Sequence, residues 1–134
     1  MKSDRVKVFA VPLCVERRNN WMIKIRREQI AGMNMHYKYR TLEYFFKTQQ
    51  ALGIKNIEFW CARPHFLLDD YGFEDAAELK KNAADYGLTI GAFSPECTIY
   101  NYALCCHDET ARKHSIGYFE NGIRAAAEAG AKVM

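Results

Sequence analysis

The sequence predicts an α/β fold built from parallel strand–helix units. One junction recurs three times: a helical segment ends, a Gly follows, and a short apolar run starts at once. The copies sit at Gly53, Gly87 and Gly130. Gly past a helix end adopts the left-handed conformation without a Cβ clash, so it stops the helix and releases the chain into a strand. The loops carry a second signal. Helix-to-strand turns are about two residues, while strand-to-helix loops run to about seven to fourteen. Polar residues gather in the long loops.

The elements follow in order. Residues 1–28 fit no regular pattern: Val6 to Leu13 could form a strand, but Arg17-Arg18-Asn19-Asn20-Trp21 breaks it. They read as an irregular basic extension, with Met22 a candidate natural start. A partial barrel is expected over 29–134. Gln29 to Met35 is the first expected strand. Thr41 suits a helix N-cap, and Leu42, Phe45, Phe46, Gln49 and Leu52 follow on one helical face. The second strand runs from about Lys55 to Trp60, and Cys61 to Gly72 is loop. Glu74-Asp75 opens a second helix with Ala76, Leu79, Ala83 and Tyr86 inward. The third strand spans about Leu88 to Phe93. After the loop Ser94 to His107, Asp108 caps a third helix whose expected apolar face is Ile116, Phe119, Ile123 and Ala126. Lys132 to Met134 opens a fourth strand.

Loops that follow the strands build the active site in β/α barrels, and the opposite face stabilises. A closed barrel takes about eight such units and about 250 residues. The 134 residues here hold about three and a half units, so the expectation is roughly the first half of a TIM barrel, truncated in the fourth strand.

Composition narrows the class. Apolar residues make up 49% and charged residues 26%, as in a globular domain rather than a disordered one. No apolar run approaches the roughly 20 residues of a membrane span, and no signal peptide is evident. A cytoplasmic protein is expected, with no membrane partner. The net charge of +3 is uneven: residues 1–40 carry ten Lys/Arg against three Asp/Glu, and the remainder nine against thirteen. The basic arm shows no helical stripe, so it reads as a leader rather than a nucleic-acid or lipid surface. Five cysteines, two of them adjacent, do not make a secreted disulfide framework. Cys105-Cys106-His107 lacks metal-ligand spacing and reads as buried thiols near a helix start.

Four places could carry chemistry. Strand alternation puts Ile57 and Phe59 on one face and Glu58 and Trp60 on the other, toward the barrel interior. A carboxylate there is either a pocket wall or a structural group with a buried partner. His65 follows Arg63-Pro64, which stiffens the loop, so its imidazole is presented in a defined place as a hydrogen-bonding or acid–base group, or it is an ordinary loop residue. Glu96, in Ser94-Pro95-Glu96, occupies the equivalent rim one unit later. Tyr100 and Asn101 add aromatic and amide groups suited to a polyol, or else pack their own loop. No phosphate loop, nucleophile elbow or dinucleotide fingerprint is present.

The stretches Ile57-Glu58-Phe59-Trp60-Cys61-Ala62-Arg63-Pro64-His65, Ser94-Pro95-Glu96, Tyr100-Asn101-Tyr102 and Asp108-Glu109-Thr110-Ala111-Arg112 resemble the sugar phosphate isomerase/epimerase family, whose barrel is xylose-isomerase-like. The likeness is strongest to the fructoselysine 3-epimerase-type branch. It runs from about Ile30 to Met134, with no counterpart for residues 1–28. The resemblance implies a ketose or ketosamine substrate, or a sugar phosphate, turned over through an enediolate. It also implies a divalent metal (Mn, Co, Mg or Zn) and two carboxylates that exchange a proton. In that family the metal and proton-transfer residues lie on later strands. This chain is therefore expected to bind no metal alone, to be inactive alone, and to supply Glu58, Trp60, Arg63, His65, Glu96, Tyr100 and Asn101 to the substrate side. Two other readings compete. An endonuclease-IV-like enzyme needs histidines at early strand ends and basic loops, which are missing here. A non-catalytic half-barrel would expose apolar edge strands that pair with a second copy.

Overall fold

A computed structural model describes residues 24–134. The expected strand at Val6 to Leu13, the start at Met22 and Cys14 lie outside the described residues. Strands and helices alternate: β1 (Ala31–Met33), α1 (Leu42–Leu52), β2 (Asn56–Cys61), α2 (Ala76–Ala84), β3 (Thr89–Pro95) and α3 (Glu109–Ala129). The sheet order is β1-β2-β3, and both pairings are parallel. The predicted α/β class is what forms, as adjacent units of a partial barrel.

Local chemistry places the helix ends. The side chains of Thr41, Asp75 and Asp108 accept from the amides of Tyr44, Glu78 and Ala111 at 3.2, 2.7 and 2.7 Å, each satisfying a donor the first turn leaves free. Gly53, Gly87 and Gly130 have φ of +68°, +70° and +76°. All three recurring junctions therefore use the left-handed turn that their sequence predicts.

The core lies between the sheet and the helices. Ile57, Phe59, Ile90 and Phe93 are buried there, each contributing roughly 1.5–3 kcal/mol by leaving water. Register shifts within the β2–β3 pair: Ile57 faces Ile90, but Glu58 faces Ala92. Gly91 is the residue skipped. Beyond this bulge Phe59 meets Phe93, with ring centroids 5.8 Å apart, while Trp60 meets Ser94. The bulge thus brings Ser94 to the face that carries Glu58 and Trp60.

Five expectations need correction. The first strand is three residues, not the span Gln29 to Met35, because 3-10 turns at Arg27–Gln29 and Asn34–Tyr37 take its ends. The third strand extends past Phe93 to Pro95. The fourth strand is a single parallel bridge, Ala92 to Val133, among the described residues. Cys105 is exposed and Cys106 half-buried, so they are not the buried pair expected. The third helix keeps only half of its expected inner face: Ala126 is buried and Phe119 packs against the core, but Ile116 and Ile123 are 42% and 58% exposed, and Tyr118 and Ala125 are fully buried instead. Close approach explains this last difference. A Cβ on Gly122 would stand 3.1 Å from Pro95 Cγ and 3.3 Å from Met134 Sδ, so the helix comes close through Gly122 and leaves the neighbouring Ile123 outside.

The segment before β1 is tied to the body. Arg27 donates to the Leu52 carbonyl at 3.0 Å, and Asn56 donates to the Glu28 carbonyl at 2.7 Å.

Candidate functional site

The carboxyl ends of the three strands carry one connected polar chain. Asn34, the first residue after β1, is fully buried. Its Oδ1 accepts from the Trp60 amide at 2.7 Å, and its Nδ2 donates to the Trp60 carbonyl at 2.9 Å. An unpaired amide there would cost about 1–3 kcal/mol, and both ends are satisfied. The remaining Nδ2 proton goes to His65 Nδ1 at 3.0 Å. His65 Nε2 in turn donates to the Arg40 carbonyl at 2.9 Å. Accepting at one nitrogen and donating at the other is the pattern of a neutral imidazole. Both ring nitrogens are therefore committed within the chain.

On the far side of Trp60 the indole Nε1 donates to Glu96 Oε2 at 2.6 Å. Glu96 is 4% exposed, and its other oxygen accepts from the Thr98 hydroxyl, the Thr98 amide and, at 2.9 Å, the Ile99 amide. Burial by itself raises the Glu96 carboxyl, but the Thr98 hydroxyl, the Ile99 and Thr98 amides and the indole outweigh it and hold the group down at about 2. Tyr118 also donates to the Glu96 carbonyl at 2.7 Å. Near neutral pH Glu96 is an anion that fastens the loop after β3 onto the Trp60 side chain.

Glu58 stands one pleat deeper on the same face as Trp60. It is half-buried and accepts from Ser94 Oγ at 2.6 Å. That single partner among the described residues leaves acceptor positions on a carboxylate, which has about four. The arrangement can receive hydroxyl donors from a bound polyol.

The other candidates sit apart from this chain. Arg63 pairs with Glu74 at 2.9 Å, and its amide donates to the Tyr100 hydroxyl at 3.3 Å; the Arg63–Pro64 bond is cis. Tyr100 and exposed Asn101 line a cleft of about 430 Å³ with Leu67 to Asp69. Behind them, Asp70 accepts from Tyr102 at 2.9 Å and pairs with His114. Burial, together with the Asp70 carboxylate, pushes Tyr102 up to about 12. Burial raises Asp70, but the His114 and Tyr102 bonds outweigh it and lower its carboxyl. Glu58, Trp60, His65 and Glu96 are thus brought together, while Arg63, Tyr100 and Asn101 form a neighbouring group.

Sequence reasoning missed Asn34 and Thr98. Asn34 occupies the rim position after the first strand that Glu96 occupies after the third, which is the signal that could have exposed it. Thr98 lies two residues beyond an acidic rim residue, a spacing suited to a local side-chain bond.

The chain is 30% identical over 87 residues to fructoselysine 3-epimerase of Shigella flexneri, covering 65% of this chain and 32% of that protein. It is 29% identical over 87 residues to fructoselysine 3-epimerase of Escherichia coli O157:H7, with the same coverage. The match spans about a third of the length of these curated relatives. No solved structure gives a significant match. The profile of the Xylose isomerase-like TIM barrel family matches residues 46–134, and the chain belongs to that family.

Proposed function

We propose that this chain supplies one wall of the sugar pocket of a metal-dependent isomerase or epimerase that acts on a ketose or ketosamine, such as fructoselysine, through an enediolate. The observation that carries this reading is Glu58, half-buried beside Trp60 with a single partner among the described residues, Ser94, at 2.6 Å. Its remaining acceptor positions suit sugar hydroxyls, and Trp60 backs the site. Relatives whose names specify a fructoselysine epimerase support the substrate class.

Proton transfer falls to other groups. A carboxylate held at about 2 by several donors is a poor base near neutral pH, so Glu96 shapes the rim and does not relay a proton. Among the described residues no three His, Cys, Asp or Glu side chains converge as a metal set, and the Glu96 oxygens are already taken. The described residues do not fit a divalent cation. The work of this chain is to bind and orient sugar hydroxyls.

Saturation-transfer NMR with fructose or fructoselysine tests the reading. Glu58→Ala is expected to weaken ketose binding at least about tenfold while the circular dichroism spectrum is kept. With Mn2+ or Co2+ added, the chain alone should exchange no substrate C–H for solvent deuterium. Undiminished binding by the Glu58→Ala chain, or rapid exchange, would sink the proposal.

A further inference from the structure

A second recess opens beside the rim, between the segment joining β1 to α1 and the Pro64–His65 turn. It encloses about 760 Å³, within the range of small-ligand sites. Its walls include Lys38, Tyr39, Arg40, Tyr44, Pro64 and His65, and among the described residues no carboxylate lines it. Lys38 Nζ lies 5.3 Å from the Tyr39 ring centre, and the Arg40 guanidinium lies 5.4 Å from that of Tyr44. Neither cation has an ion-pair partner among the described residues. Two cations resting on aromatic faces keep their charge uncompensated and their N–H groups available.

The backbone that presents them is pinned. The Arg40 amide donates to the Tyr37 carbonyl at 2.7 Å, and the Arg40 carbonyl accepts from His65 Nε2 at 2.9 Å. His65 is held by Asn34, which also holds Trp60. The recess is thus mechanically continuous with the Glu58–Trp60 face. A guanidinium fork and an ammonium suit a tetrahedral or planar oxyanion, and tyrosine faces suit the C–H surface of a sugar.

We infer that this recess binds an oxyanion, a phosphate ester or a carboxylate, carried by a polyol ligand. The inference deepens the sugar-epimerase reading and rests on it for the polyol; Lys38 and Arg40 give that ligand a charged anchor.

Amide NMR of the full chain tests it, with fructose 6-phosphate, gluconate and fructose as probes. Fructose 6-phosphate or gluconate should shift the amides of Tyr39 to Tyr44, and the stronger of the two identifies the oxyanion. The double variant Lys38→Ala/Arg40→Ala should weaken that binding at least about tenfold, as should about 0.5 M NaCl, while leaving fructose binding unchanged. Both side chains are exposed, so the variant should fold. The inference is overturned if neither anion shifts these amides beyond fructose, or if the double variant binds them as the parent does. Ketose binding insensitive to Glu58→Ala would instead overturn the pocket reading, and leave anion binding at Lys38 and Arg40 standing on its own.

Discussion

Glu58 and Glu96 are two carboxylates at the same end of one sheet, on neighbouring strands, and their surroundings make them different groups. Glu96 collects an indole, a hydroxyl and two amides and is almost sealed from water. Among the described residues Glu58 collects one hydroxyl, and it stays half-open. Donor count and burial, not residue type, separate a structural anion from one free to meet a ligand. The bulge at Gly91 contributes to this division. It turns Ser94 toward Glu58, and the chain then continues to Glu96 above it.

The comparison breaks most visibly if Glu96 is removed. Glu96→Ala leaves the Trp60 indole and the Thr98 and Ile99 amides without their acceptor, and is expected to cost about 3–5 kcal/mol in urea unfolding. A cost below about 1 kcal/mol would mean that the loop is not fastened there.

Acid is the next largest lever. The Glu96 carboxyl sits at about 2 in the folded chain against 4.5 ordinarily. Its stabilisation is therefore complete above 4.5 and is lost as pH falls toward 2, in total about 3 kcal/mol. Asp70, also lowered, acts with the same sign. Unfolding followed from pH 6 to pH 2 should show a slope that flattens in Glu96→Gln, leaving the share of Asp70. An unchanged slope in that variant would place the acid sensitivity elsewhere.

Glu58→Gln should move stability least, within about 0.5 kcal/mol, because the amide oxygen still accepts from Ser94. A loss as large as that of Glu96→Ala would show that Glu58 is structural too, and the contrast between the two groups would vanish.

Much of this organisation was legible before any coordinates. The caps at Thr41, Asp75 and Asp108 and the left-handed glycines depend on bonds within a few residues, so local sequence specifies them. Alternation in Ile57-Glu58-Phe59-Trp60 placed the two apolar side chains inward to the helices. The inner face of α3 was legible only in part, at Phe119 and Ala126. Ile116 and Ile123 look like core by hydrophobicity, yet Gly122 and Ala125 take that side because Pro95 and Met134 press close. The partners of Trp60 were equally hidden, since Asn34 and Glu96 are 26 and 36 residues away in sequence.

The sequence alone determined the α/β class, the parallel order of units and the helix boundaries, because periodicity and capping are short-range. Tertiary structure decided which carboxylate is tied down, which helix face is buried and how His65 spends its nitrogens. Those outcomes depend on groups that meet only when separate strands lie side by side, at distances no local pattern encodes.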